Sequence, residues 1–264
     1  MNYDDLLVEK RDGIATITLN VPDKMNALSM KMRKSLPVAT DDLNRDDEVK
    51  VVIVTGAGRA FCAGGDIDSM KARMEGTFQQ TRFEKLQAVG YWGDVFVKMD
   101  KPVIAAINGA AVGAGFALAL SCDIRIASEK ARFGCAFILR GLVPDSGTTF
   151  FLPRVVGTEK ALELMLTGEL FDAAEAFRLG IVSRVVSPDD LMKTAQELAA
   201  KFAQQPPIAV ELTKRVVYRG MIDDIKRQID WESGAQQICM QSEDHKESIR
   251  AFLEKREQPK FKGK

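Results

Sequence analysis

VVIVTGAGRAFCAGGD, residues 51–66, joins four consecutive aliphatic residues to a turn dense in glycine and alanine. Val51 to Val54 put no polar residue on either face of a two-residue period. That is the pattern of a strand covered on both sides, as parallel strands are in α/β proteins. The chain before it agrees. Residues 13–21 (GIATITLNV) alternate as a half-buried strand does and are broken at Pro22, and residues 29–43 repeat apolar side chains at helical spacing. Strand, helix, strand predicts the start of a parallel α/β layout.

Downstream the same grammar recurs. Residues 102–107 (PVIAAI) read as a second buried strand, and 108–115 (NGAAVGAG) form a turn of small residues that feeds a helix through 116–121. Residues 123–127 (DIRIA) are a further strand, and the chain turns again at 141–145 before a helix near Ser146. The segment 70–98 is polar and helical in pattern, with Phe78, Phe83, Tyr91, Trp92 and Phe96 marking its buried side. Beyond Gly157 helices dominate, at 158–167, 172–179, 188–204, 207–219 and a broken 222–256, with one strand at 181–186. The expected division is an α/β core over 1–200 and a helical region over 201–264, without a flexible linker or internal repeat.

Composition closes off several functions. The 264 residues carry 37 basic and 37 acidic side chains, so neither net charge nor a run of like charges suggests nucleic-acid binding, and an anionic ligand must be met locally. No apolar run reaches ~18 residues, which argues against a membrane span. Cys62, Cys122, Cys135 and Cys239 lack CxxC spacing and read as buried free thiols. With a polar, acidic N-terminus this predicts a cytoplasmic protein. His245 is the only histidine and reads as a solvated position in a charged helix, and no metal-ligand cluster is visible.

Both glycine turns test badly as dinucleotide fingerprints. Phe61 and Leu118 stand where the third glycine belongs. Two readings remain open for the pair. Either the turns aim two backbone N–H groups at one oxygen, forming an oxyanion hole, or the glycines only allow close packing of helix on strand.

Residues 54–66 (VTGAGRAFCAGGD) resemble the first oxyanion segment of the crotonase (enoyl-CoA hydratase/isomerase) superfamily, and 101–123, from KPVIAAING through GAG to CD, resemble the second. The likeness extends from Thr18-Leu19-Asn20, Pro22 and Asn26-Ala27-Leu28 to 251–256 (AFLEKR). The resemblance implies a spiral of ββα units with a helical C-terminal trimerisation region, as a homotrimer or dimer of trimers. It implies an acyl-CoA substrate and no separate cofactor, coenzyme A being part of the substrate. The thioester oxygen would be held by the N–H groups of Ala63 and Ala114. Substrate contacts would fall on Lys24, Met25, Ala27, Ala60, Ala63, Gly64, Gly65, Asp66 and Ile67, on Gly113, Ala114, Ala117 and Phe137, and on the basic tail.

Hydratases of that superfamily use two glutamates where this chain has Ala117 and Phe137. Water addition needs a carboxylate for the water and an acid for the carbon, so hydration is expected to be poor. Asp145, in 143–149 (VPDSGTT), stands where isomerases of the superfamily carry an acid, and with 150–154 (FFLPR) the stretch resembles the ring-1,2-epoxyphenylacetyl-CoA isomerase branch. An isomerase with Asp145 as acid/base is the leading expectation. A hydratase or other crotonase reaction, and a non-catalytic CoA-binding paralogue, are the alternatives. Asp145 could instead cap the helix that follows. Asp66 and Asp68 could cap a helix or touch ligand, and the role of Arg140 stays open.

Overall fold

The computed structural model describes residues 3–79, 91–219 and 222–256. Val51 opens β3 (Val51–Gly56), every residue of which is buried. Along it, Val52 and Val54 face the main core, while Val51 and Ile53 face a second cluster closed by a helix, α7 (Leu191–Ala203), through Leu191, Ala195, Leu198 and Ala199. Apolar contacts on both sides are why this strand has no alternation.

β3 lies in a six-stranded sheet. β2 (Ile14–Leu19) and β5 (Val103–Ile107) flank it in parallel, β7 (Ile124–Ser128) and β10 (Arg184–Val186) continue the parallel series, and β1 (Leu6–Arg11) pairs antiparallel with β2 at the edge. A smaller sheet contains β4 (Ala60–Cys62), β6 (Ala110–Val112), β8 (Arg132–Gly134) and β9 (Phe171–Asp172) in that order. Each pass gives one strand to the large sheet and one to the small sheet. Helices follow the first two passes: α2 (Ile67–Met74) after β4 and α3 (Ala114–Leu120) after β6. This is the expected spiral of ββα units, built on α1 (Met30–Arg45), which Ser29 caps through a bond from Met32 N–H at 3.0 Å.

The remaining α-helices among the described residues are α4 (Thr148–Val156), α5 (Thr158–Thr167), α6 (Ala173–Arg178), α8 (Pro207–Arg219), α9 (Ile222–Gln241) and α10 (Glu243–Leu253). α9 and α10 fold back onto the 135–149 loop. No helix among the described residues is long and apolar enough to cross a membrane.

Several expectations need correction. β1 was not anticipated, because among its residues only Leu6 is buried and the rest read as polar surface. The small-sheet strands span two or three residues, too short for a two-residue period to register, so 60–62 and 110–112 read as turn. In the 70–98 segment, the first helix ends at Met74 and Tyr91 is exposed, whereas Trp92 and Phe96 are buried. Phe83 and the tail beyond Arg256 lie outside the described residues.

Candidate active site

Two asparagines shape the first glycine turn. Asn26 is fully buried and donates from Nδ2 to the carbonyls of Ala57 at 2.9 Å and Ala60 at 2.8 Å, while its Oδ1 accepts from Val21 N–H at 2.9 Å. Asn108 grips the same turn from the other side, donating to Gly56 and Gly58 carbonyls at 2.9 Å each. The motif asparagines are therefore backbone staples. They fix the path of residues 56–62, and hence where residues 63–66 emerge.

Close packing then joins the two turns. A Cβ on Gly115 would lie 2.0 Å from the Cys62 carbonyl oxygen, and one on Gly64, whose φ is +96°, would lie 2.6 Å from Val112 O and 3.3 Å from Ala114 N. Neither position accepts a side chain without backbone movement. The packing role and the donor role are thus one arrangement, because the missing Cβ atoms let the two segments meet.

The first donor differs from the expected one. The Ala63 N–H is bonded to Met25 O at 3.0 Å and cannot also serve an oxyanion. Gly65, two residues on, bonds no acceptor through its N–H among the described residues, and neither does Ala114 at the start of α3. Gly65, Ala114 and Gly113 line one cavity of about 200 Å³, together with Ala63, Gly64 and Asp66. The backbone N–H groups of Gly65 and Ala114 are thus two unbonded donors on residues that line one cavity.

Asp145 lines the same cavity and is 7% exposed. Burial raises its pKa above the usual carboxylate range, opposed by two hydrogen bonds and by the charge of Arg33. Those bonds come from Ser146 Oγ to Oδ1 at 2.8 Å and from Gln236 Nε2 to Oδ2 at 3.0 Å. The side chain does not cap α4, whose N-cap is Gly147. That duty falls to Glu232 of α9, which accepts from Gly147 N–H at 2.7 Å, from Thr149 N–H at 3.0 Å and from the Thr149 hydroxyl. Burial pushes the Glu232 carboxyl up to about 7.

The family profile for enoyl-CoA hydratase/isomerase matches residues 9–264. The chain belongs to the enoyl-CoA hydratase/isomerase family. It is 39% identical to a short-chain-enoyl-CoA hydratase of Clostridium acetobutylicum over 100% of both chains, and 37% identical to a 1,2-epoxyphenylacetyl-CoA isomerase of Escherichia coli over 97% of both. An enoyl-CoA hydratase/isomerase structure from Pseudoalteromonas atlantica superposes with a TM-score of 0.90 at 30% identity, covering 98% of this chain and 100% of that one.

In this enoyl-CoA hydratase/isomerase family member, Phe137 lines the cavity, but Ala117 is fully buried inside α3 and does not. Ala60 is likewise enclosed, with its carbonyl held by Asn26 and Asn108. Lys24, Met25, Ala27 and Ile67 lie outside the cavity lining. Lys24 pairs with Asp68 at 2.7 Å, and Asp66 caps α2 while also facing the cavity.

Sequence reasoning misread His245 and missed Gln236 and Glu232. His245 is 6% exposed rather than solvated. It lines the cavity, and its Nδ1 donates to the Arg140 carbonyl at 2.6 Å. A usable signal was the spacing His245, Ser248, Ile249, which puts it on the buried face of α10. Gln236 and Glu232 sit about 90 residues after the loop they hold, and nothing local marks them. Arg140 lines the cavity and stacks its guanidinium on Phe252, 4.2 Å from the ring centre. The cysteines are free as expected, although Cys239 is only half-buried, and burial pushes the Cys62 and Cys135 thiols up to about 12, which makes them inert.

Proposed function

We propose that this enzyme isomerises an enoyl-CoA, with Asp145 moving a proton between carbons of the acyl chain while the Gly65 and Ala114 N–H groups hold the thioester oxygen. The observation that carries the reading is a buried aspartate lining the same cavity as two residues with unbonded backbone N–H groups. Removing a proton beside a thioester puts negative charge on its oxygen. Two fixed donors stabilise that charge, on the order of 10²–10³-fold for each. The same carboxylic acid then returns the proton further along the chain. A carboxyl whose pKa lies above its usual range is suited to both halves of that transfer.

The hydratase names of related proteins favour a second reading, water addition to the same thioester. Against it stand Ala117 and Phe137, which supply no carboxylate to activate water. NMR of deuterium exchange at the α and γ carbons, run beside a crotonyl-CoA hydration assay, separates the two. Exchange without hydration supports isomerisation, and rapid hydration overturns it. Ile208, Val216, Val217, Trp231 and Ile238 are exposed along α8 and α9, which supports assembly through this region as a homotrimer or dimer of trimers. Sedimentation equilibrium checks it, and a monomer at micromolar concentration would contradict it.

A further inference from the structure

Only three buried side-chain N or O atoms among the described residues lack a hydrogen-bond partner: Arg33 Nε, Asp94 Oδ1 and Asp123 Oδ1. The two aspartates each form an ion pair, Asp94 with Lys98 and Asp123 with Lys214, both at 2.7 Å. Among the described residues Arg33 has no such close ion pair, and its charge is balanced only at longer range, by Asp145 and Asp66. It is the one donor of the three, and its Nε is buried without a hydrogen-bond partner. It also lines the active-site cavity, with Nη2 4.0 Å from where a Cβ on Gly65 would sit.

The carboxylates closest in charge to Arg33 are already occupied. Asp66 accepts from Asp68 N–H and Ser69 Oγ, and Asp145 accepts from Ser146 and Gln236. The cavity also presents apolar side chains, among them Met70, Trp92 and Phe137, beside polar ones such as Ser69, Arg73 and His245. A hydrocarbon acyl chain in this space would strip water from the Arg33 Nη groups that reach the cavity beside Gly65 and offer them no acceptor in return, which is unfavourable. An oxygen atom on that chain would remove the deficit.

We propose that Arg33 determines specificity by binding an oxygen on the acyl group, so that the preferred substrates are acyl-CoA esters carrying a hydroxyl, keto or carboxylate oxygen and not plain hydrocarbon chains. This rests on the acyl-CoA reading of the cavity but not on the direction of the chemistry. A guanidinium offers several donors in a fixed plane, so it serves all three oxygen types, with the carboxylate favoured by charge.

Titration calorimetry with saturated, unreactive probes tests the idea without turnover: hexanoyl-CoA against 3-hydroxyhexanoyl-CoA, 3-oxohexanoyl-CoA and adipoyl-CoA. At least one oxygenated probe is expected to bind about tenfold or more tighter than hexanoyl-CoA. Arg33→Met should abolish that advantage while leaving hexanoyl-CoA within about threefold, and Arg33→Lys should recover part of it for adipoyl-CoA alone. Hexanoyl-CoA binding as tightly as every oxygenated probe overturns the proposal without any variant. So does an equal loss on all four probes in Arg33→Met, since Arg33 would then only balance charge. If none of the four CoA esters binds, the acyl-CoA reading falls with it, whereas binding without proton exchange removes the isomerase reading alone.

Discussion

The two walls of the candidate active site are built on opposite principles. One, from residues 63–66 and 113–115, offers only backbone, and its geometry is set by what is missing: Cβ atoms at Gly64 and Gly115. The other, from Asp145 with Gln236 and His245, offers side chains, and its geometry is set by hydrogen bonds to helices roughly a hundred residues further along, through Gln236, Glu232 and His245. A backbone wall tolerates changes of side-chain chemistry but not of volume. A side-chain wall does the reverse.

The largest effect that tests this contrast is on the backbone wall. Gly115→Ala forces a Cβ to within 2.0 Å of the Cys62 carbonyl, and it should cost about 3 kcal/mol or more and ~6–12 °C in Tm by calorimetry. An unchanged Tm would mean the turns are not in contact. On the other wall, Asp145→Asn keeps the volume and removes the base. Proton exchange should fall about 10²–10⁴-fold with Tm nearly unchanged, and a variant that kept full exchange would remove Asp145 from the chemistry.

Gln236→Leu sharpens the comparison, because Gln236 holds the Asp145 carboxyl and its effect should run through that group. Its hydrogen bond favours the ionised carboxylate, so losing it raises the Asp145 pKa further. The acid limb of the pH–rate profile should move to higher pH, with a loss of about tenfold at neutral pH. A purely structural role would lower the rate without moving that limb.

The smallest effect concerns Glu232. Its carboxyl is raised from the ordinary 4.5 to about 7, so between those values the folded protein holds a proton that the unfolded chain has released. Stability therefore falls as pH rises through that window and levels off above it, by about 1–3 kcal/mol from this group. Glu232→Gln should flatten the decline in chemical denaturation measured from pH 5 to 8. Asp145 contributes with the same sign, so Asp145→Asn is the matching control.

Legibility in the sequence followed the same division. The large sheet was readable because β3, β5 and β7 are long enough to display their burial, and both glycine turns were readable because glycine and alanine have few other uses after a strand. The side-chain wall was only half readable. Asp145 stood out in its motif, but its partners did not, since Gln236 and Glu232 look like any polar residues on a helix.

By itself the sequence determined the family, the parallel α/β layout and the two segments that meet at the site. These depend on local periodicity and on runs of small residues, which neighbours in the chain can express. The tertiary structure alone decided that Gly65 and not Ala63 has the free N–H, that His245 is buried, and that Arg33 is left with an unused donor. Each of these turns on where a distant acceptor falls, Met25 for Ala63 or Arg140 for His245, and hydrogen-bond partners separated by tens of residues leave no trace in a local pattern.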